Sequence, residues 1–182
     1  ILRKYDAILI DRYQIRPDSG KDIMPESICQ SPLYPIINPG SIVFFGASNR
    51  FTAMGTNQLH SLLSAGFDGK IYPIHLKEER VLDLKAYQRV EQIPQVPDLA
   101  VLVLPTHIVP QAMEECAKKG IKHAIVVSGG FKEVGGQGVE LEKKLLDIAA
   151  RYGIRFLGPN CLGVANPHHN FNVTFIPFGG QP

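Results

Sequence analysis

The stretch Ser41-Ile-Val-Phe-Phe-Gly-Ala-Ser-Asn-Arg-Phe-Thr-Ala-Met-Gly55 decides how this chain of 182 residues is read. It opens on an apolar run, Ile42 to Phe45, of the length of one buried strand. Gly46-Ala47-Ser48 then turns the chain where larger side chains would obstruct it. Asn49 to Thr52 is polar and loop-like. Gly55 opens a helix whose apolar face is Leu59, Leu62 and Leu63. A strand, a turn of small residues and a helix start, in that order, make an anion site: free backbone N–H groups and the positive end of the helix dipole converge there. The expectation is a loop that holds the phosphates of a nucleotide-like cofactor.

Downstream the pattern repeats. The first strand, Ser41 to Phe45, is followed by a helix from about Gly55 to Ser64, with Gly66 as its C-cap. A second strand is expected at Lys70 to Ile74. An irregular stretch with at most one short helix then runs through Tyr87 and Ile93. The third strand is Leu99 to Leu104. The next helix, Val109 to Lys119, carries Val109, Met113, Cys116 and Ala117 on one face and ends at Gly120. The fourth strand is His123 to Val127. A glycine-rich loop, Ser128 to Gly138, leads to a helix whose apolar positions Leu141, Leu145, Ile148, Ala149 and Tyr152 keep helical spacing, and Gly153 ends it. The fifth strand, Ile154 to Leu157, runs into Gly158-Pro-Asn-Cys-Leu-Gly-Val164.

Apolar strands alternating with amphipathic helices imply an α/β fold: a doubly wound parallel sheet, Rossmann-like. Such folds bind ligands beyond the carboxyl ends of the strands, at the switch point. Those ends carry Gly46-Ala47-Ser48, His75-Leu76-Lys77, Pro105-Thr106, Ser128-Gly129-Gly130 and Gly158-Pro159-Asn160-Cys161. The five loops are expected to meet around one ligand.

Composition narrows the class. With 45% hydrophobic and 20% charged residues the chain can pack a core. A net charge of +2 argues for neither nucleic acid nor a membrane surface as partner. No apolar run reaches the length of a membrane span, and the start has no signal-peptide pattern. Cys29, Cys116 and Cys161 are too widely spaced for a metal pair or a disulfide framework, which suits a reduced, cytoplasmic setting. Residues 1–32 read as an N-terminal extension or linker. Within them Ile8-Leu9-Ile10 is a strand or part of a helix, and Pro17-Asp-Ser-Gly20 is a turn. Ser31 to Pro39 holds three prolines and reads as an extended lead-in that packs Leu33 and Ile36. The domain proper is expected at residues 33–166. Residues 167–182, ending Phe178-Gly-Gly-Gln-Pro182, read as a connection to a following domain, so the chain is expected to be a piece of something longer.

The cofactor is narrowed by what is missing. The fingerprint G-x-G-x-x-G is absent: Ser48 stands two places after Gly46, and the next glycine is Gly55. The acidic residue that holds the ribose hydroxyls of NAD is absent too, its place being taken by His75, Leu76 and Lys77. A cation there suits a phosphorylated ribose, as in coenzyme A or NADP, better than NAD. Alternatively, Lys77 is a solvated surface lysine followed by Glu78 and Glu79. Ser128-Gly129-Gly130 lets a backbone approach a ligand and offers amides to an anion, or it only turns the chain. Cys161 is a nucleophile only if His168 or His169 serves it as base, and nothing in the sequence puts them together. A small loop residue is the simpler reading. His168 and His169 are adjacent and point apart on an extended chain, which argues against a metal pair.

Five segments in order carry a family resemblance: Asn38-Pro-Gly-Ser-Ile-Val-Phe-Phe-Gly-Ala-Ser48, Gly69-Lys-Ile-Tyr-Pro-Ile74, Asp98-Leu-Ala-Val-Leu-Val-Leu-Pro105, Ser128-Gly-Gly-Phe-Lys-Glu133 and Tyr152-Gly-Ile-Arg-Phe-Leu-Gly-Pro-Asn-Cys-Leu-Gly-Val164. From about Leu33 to Val164 the chain resembles the N-terminal coenzyme A-binding domain of the nucleoside-diphosphate-forming acyl-CoA synthetases. That family includes ADP-forming acetate–CoA ligase and the alpha subunit of succinyl-CoA synthetase. The resemblance implies that Gly46, Ala47, Ser48 and Gly55 hold the coenzyme A diphosphate, with Asn49 and Arg50 in the same loop. It implies that Lys77, beside His75, sits near the adenosine end, with Pro105 in the third loop. Ser128, Gly129 and Gly130 would line the path of the pantetheine arm, and Asn160 and Cys161 would lie near the thiol. The family converts acid, coenzyme A and ATP to acyl-CoA, ADP and phosphate through an acyl phosphate and a phosphohistidine. That histidine belongs to a Gly-His-Ala-Gly type motif absent here. The implied ligand is therefore coenzyme A or acyl-CoA, while ATP, ADP and magnesium belong to further domains or a further subunit. Two departures stand out: His75-Leu76 replaces the family's Asn-Pro, and Asn49-Arg50-Phe51 is an uncommon loop. A stand-alone regulatory module and the coenzyme A-binding part of a protein acetyltransferase are the alternative readings. A nicotinamide-binding domain is a third, disfavoured by the missing glycine and acidic residue.

Overall fold

The computed structural model describes residues 29–174, and the unit that carries the core begins at Ser31. The expectations for residues 8–10, 17–20 and 178–182 lie outside the described residues. In chain order the elements are α1 (Tyr34–Ile37), β1 (Ser41–Phe45), α2 (Met54–Ser64), β2 (Lys70–Ile74), β3 (Arg80–Val81), β4 (Leu84–Lys85), β5 (Leu99–Leu102), α3 (Val109–Lys119), β6 (His123–Val126), α4 (Gln137–Tyr152), β7 (Arg155–Leu157), β8 (Ala165–Asn166) and β9 (Phe171–Asn172).

Every residue of β1 and of β5 is buried, as runs with no polar alternation require of central parallel strands. The main sheet has the order β2-β1-β5-β6-β7, and all its pairs are parallel. Alternate residues of each strand feed opposite faces. Val43, Phe45, Ala100 and Leu102 pack with Met113 and Cys116 of α3 and Leu145 and Ile148 of α4. Ile42, Phe44, Leu99 and Val101 pack with Leu59 and Leu62 of α2 and with Phe171 and Val173. The sheet is thus covered on both sides, which makes it doubly wound. Strand order reverses between β1 and β5, so the switch point lies at their carboxyl ends.

The helix ends follow local chemistry. Gly120 and Gly153 close α3 and α4 in the left-handed region, with Lys118, Lys119 and Arg151 in the last turns. Strands β5 and β6 stop two and one residues short of the ends of their apolar runs, where the chain leaves the sheet for the loops that follow, while β7 begins one residue late, at Arg155. Ala65, not Gly66, is the C-cap of α2, and Gly66 follows it at φ +80°.

Three expectations are corrected. The proline-rich lead-in is not extended: with Pro35 in its first turn it forms the single helical turn α1, which buries Ile36 and leaves Leu33 53% exposed. The irregular stretch after β2 contains a hairpin, β3 against β4, joined by Leu82 and Asp83, both at positive φ. Tyr87 then bridges to Ile74 at the sheet edge, and a 3-10 turn follows at Val90–Gln92. Packing also continues past residue 166. β8 and β9 pair, Phe171 and Val173 are buried, and the Gln58 amide of α2 donates to the carbonyls of Val173 at 3.1 Å and Leu162 at 3.4 Å. Among the described residues no helix is long and apolar enough to cross a membrane.

Candidate functional site at the carboxyl ends of the sheet

The loop after β1 is built by two contacts. Gly46 leaves the strand at φ +88°, with the Val103 carbonyl where a side chain would sit. Thr56, on the first turn of α2, accepts the Ser48 amide on Oγ1 at 3.0 Å and donates to the Ser48 carbonyl at 2.9 Å. The Ser48 amide is therefore spent inside the protein and is not one of the free N–H groups expected at this loop. The N-terminus of α2 has no side-chain cap. Arg50 is exposed beside it, and its guanidinium has no ion-pair partner among the described residues.

Asn49 is exposed, but its side-chain amide is engaged within the protein. Its Nδ2 donates to the Glu78 carboxylate and, at 2.9 Å, to the Arg80 carbonyl, and its Oδ1 accepts the Leu82 amide at 2.9 Å. His75 caps the turn after β2: its Nδ1 accepts the Glu78 amide at 2.9 Å and the Lys77 amide at 3.3 Å. Lys77 is exposed, and its ammonium has no carboxylate partner among the described residues.

Across the switch point, Pro105 is exposed and begins the 3-10 turn Thr106–Ile108. Ser128 is buried, and its hydroxyl accepts the Leu104 amide at 2.9 Å, so the side chain ties β5 to β6 rather than lining a ligand path. Thr106 donates to the Gly129 carbonyl. Gly130, at φ +92°, lies so close that a methyl group there would come within 2.6 Å of Thr106 Oγ1. The amides that follow already hold an anion, the protein's own. The Glu133 carboxylate accepts the Gly130 amide at 2.6 Å and the Phe131 amide at 3.1 Å. Backbone amides, its own first, hold its carboxyl below the usual carboxylate range. Lys132 and Glu142 pair at 3.2 Å and tie this loop to α4.

The last loop closes the row. The Asn160 amide donates to the Ser128 carbonyl at 2.9 Å, and Asn160 Oδ1 lies against Gly129. The Cys161 thiol is half-buried and donates to the Val126 carbonyl at 3.4 Å, and burial pushes its pKa up. That is the environment of a packing residue, not of an activated nucleophile. Contacts therefore link all five loops along one edge, in the order His75–Lys77, Gly46–Arg50, Pro105–Thr106, Ser128–Gly130, Asn160–Cys161. Four strand spacings make this row about 19 Å long, a footprint for an elongated ligand. The chemistry at one end suits a polyanion: an uncapped helix N-terminus preceded by Arg50, with Lys77 exposed in the neighbouring loop and neither cation in an ion pair among the described residues.

The coenzyme A-binding domain model matches residues 40–167. The chain belongs to the CoA-binding domain family. It is similar to the alpha subunit of acetate–CoA ligase [ADP-forming] II of Pyrococcus furiosus, with 42% identity over 76% of this chain and 30% of that subunit. It is 44% identical to acetate–CoA ligase [ADP-forming] of Methanocaldococcus jannaschii over 78% of this chain and 20% of that enzyme. Among solved structures, a dinucleotide forming acetyl-coenzyme A synthetase 1 of Ca. Korarchaeum cryptofilum, in complex with phosphate and ADP, matches with a TM-score of 0.76 and 40% identity over 80% of this chain. The chain spans only 20–31% of the length of these relatives.

Thr106 was expected only as part of the third loop, and Thr56, Glu78 and Glu133, which also shape this edge, were given no role there from the sequence. Only Glu133 carried a usable signal, a carboxylate three residues after Gly130. The other three look like any polar loop or helix residue until the loops are brought together.

Proposed function

We propose that this chain holds coenzyme A within an ADP-forming acid–CoA ligase. One observation carries the reading: at the switch point of a CoA-binding family domain, an uncapped helix N-terminus follows Arg50, and Asn49 of the same loop bonds to Glu78, the neighbour of Lys77; both cations are exposed, with no ion-pair partner among the described residues. The diphosphate lies over Gly46, Ala47, Ser48 and Gly55, and the Lys77 end takes the ribose phosphate. The pantetheine arm runs past Pro105, Gly129 and Gly130 toward Asn160 and Cys161. Coenzyme A supplies the thiol that accepts the acyl group. This chain orients it, and ATP, magnesium and the phosphohistidine belong to the rest of the ligase. A cytoplasmic setting fits its three unpaired cysteines.

The test is thermal unfolding with coenzyme A, dephospho-coenzyme A, NADH and NADPH. At about 100 times its dissociation constant coenzyme A should add about 2.7 kcal/mol of stability. Loss of its 3′-phosphate, or Lys77→Ala, should weaken that effect. Stabilisation by a nicotinamide cofactor alone would overturn the reading.

A further inference from the structure

We infer that Asn49, Glu78 and His75 form a clasp that positions Lys77 and so sets the preference for a ligand carrying a ribose phosphate. The inference rests on the coenzyme A reading and assigns Asn49 a positioning role, in place of a contact with the ligand. Both N–H groups of the Asn49 amide are spent on protein acceptors, the Glu78 carboxylate and the Arg80 carbonyl, and its oxygen takes the Leu82 amide. The side chain thus straddles the β3–β4 turn. That turn needs holding, because Leu82 at φ 45° and Asp83 at φ 63° occupy the left-handed region without a glycine.

Glu78 passes the constraint on through its backbone, since its amide donates to His75 Nδ1 at 2.9 Å. One carboxylate oxygen meets Asn49, and the other lies 3.9 Å from His75 Nε2. His75 Nδ1 accepts the amides of Lys77 and Glu78, so its proton stands on Nε2, toward that carboxylate. This two-amide cap is the service a side-chain oxygen performs in an Asx turn, which explains how His75 can stand where the resembling family has Asn. The backbone on either side of Lys77 is pinned, and its ammonium has no carboxylate partner among the described residues. If Asn49 is removed, Glu78 is released one residue from Lys77. There a free carboxylate competes with a phosphate for the ammonium.

Calorimetric titration of the full chain with coenzyme A and dephospho-coenzyme A separates the outcomes. Asn49→Ala should weaken coenzyme A binding about tenfold, the scale of one charge-assisted hydrogen bond, and change dephospho-coenzyme A binding less than about twofold. Adding Glu78→Gln to Asn49→Ala should restore most of the loss. Should Asn49→Ala fail to fold, Asn49→Asp keeps an acceptor for Leu82, repels Glu78 and must show the same selective loss. Equal weakening with both ligands, no weakening, or no rescue by Glu78→Gln overturns the clasp. If the unaltered chain binds both ligands equally, or Lys77→Ala leaves their ratio unchanged, the reading of Lys77 itself is wrong and the clasp falls with it. If Lys77→Ala abolishes discrimination while Asn49→Ala does not, only the clasp is wrong.

Discussion

At Gly46 two constraints coincide. The backbone is left-handed, and a methyl group would fall 1.8 Å from the Val103 carbonyl oxygen, a backbone atom that cannot swing aside. Opposite it, Gly55 of α2 lies against the Gly46 carbonyl, so the turn is clamped between β5 and the helix. Gly46→Ala should therefore cost about 3 kcal/mol or more, combining overpacking with the penalty of a left-handed alanine. Urea unfolding measures it, and a loss below about 1 kcal/mol would mean that the backbone around residue 103 yields. The same scale explains Glu133. Its carboxylate occupies amides that looked available to a ligand, so the glycine-rich loop is pre-shaped by an internal anion.

Among the elements, the β8–β9 hairpin does the least expected work. It lies beyond the last strand of the main sheet, yet Phe171 and Val173 complete the hydrophobic layer between α2 and the strands. Gln58 holds its backbone from α2. Phe171→Ala should destabilise the protein by about 3–5 kcal/mol, the range for truncating a fully buried phenylalanine. Thermal and urea unfolding should agree on that loss. An effect under about 1 kcal/mol would show that the hairpin decorates the core without closing it. Asn49 ties a second hairpin, β3–β4, to the loop after β1, which makes that hairpin part of the same loop-bearing edge.

For the molecule as a whole, sheet order decides where charge collects. Because β1 and β5 are neighbours and their connections leave to opposite faces, a crevice opens between the loops that follow them, and Asn49 ties the loop after β2 to the first of these through Glu78. Arg50 and Lys77 are solvent-exposed, so salt screens their attraction for an anion. Raising sodium chloride from about 0.05 M to about 0.5 M should weaken coenzyme A binding severalfold, and dephospho-coenzyme A binding less, by calorimetric titration. Equal losses for the two ligands would place the 3′-phosphate away from these cations.

The strands and helices of the main sheet were legible in the sequence because their burial is two-sided and local. An apolar run as short as Ile42–Phe45, ended by Gly46, suits a buried parallel strand, and the Leu141–Tyr152 spacing suits a helix with one buried face. Small residues at the strand ends marked the ligand edge for the same reason: Gly46, Gly129 and Gly130 stand where the backbone must turn or pack closely. What those loop side chains do could not be read there. Hydrogen-bond partners such as Asn49 with Glu78 and Leu82, Ser128 with Leu104, and Cys161 with Val126 lie 24 to 35 residues apart in the chain. Only the folded sheet brings them within reach. The short hairpins were illegible on the same grounds, since two-residue strands carry no periodicity and gain their stability from the core they cover. Local pattern thus determined the fold and the edge on which the loops gather, and tertiary contact decided which loop side chains stay exposed there and which hold the loops in place.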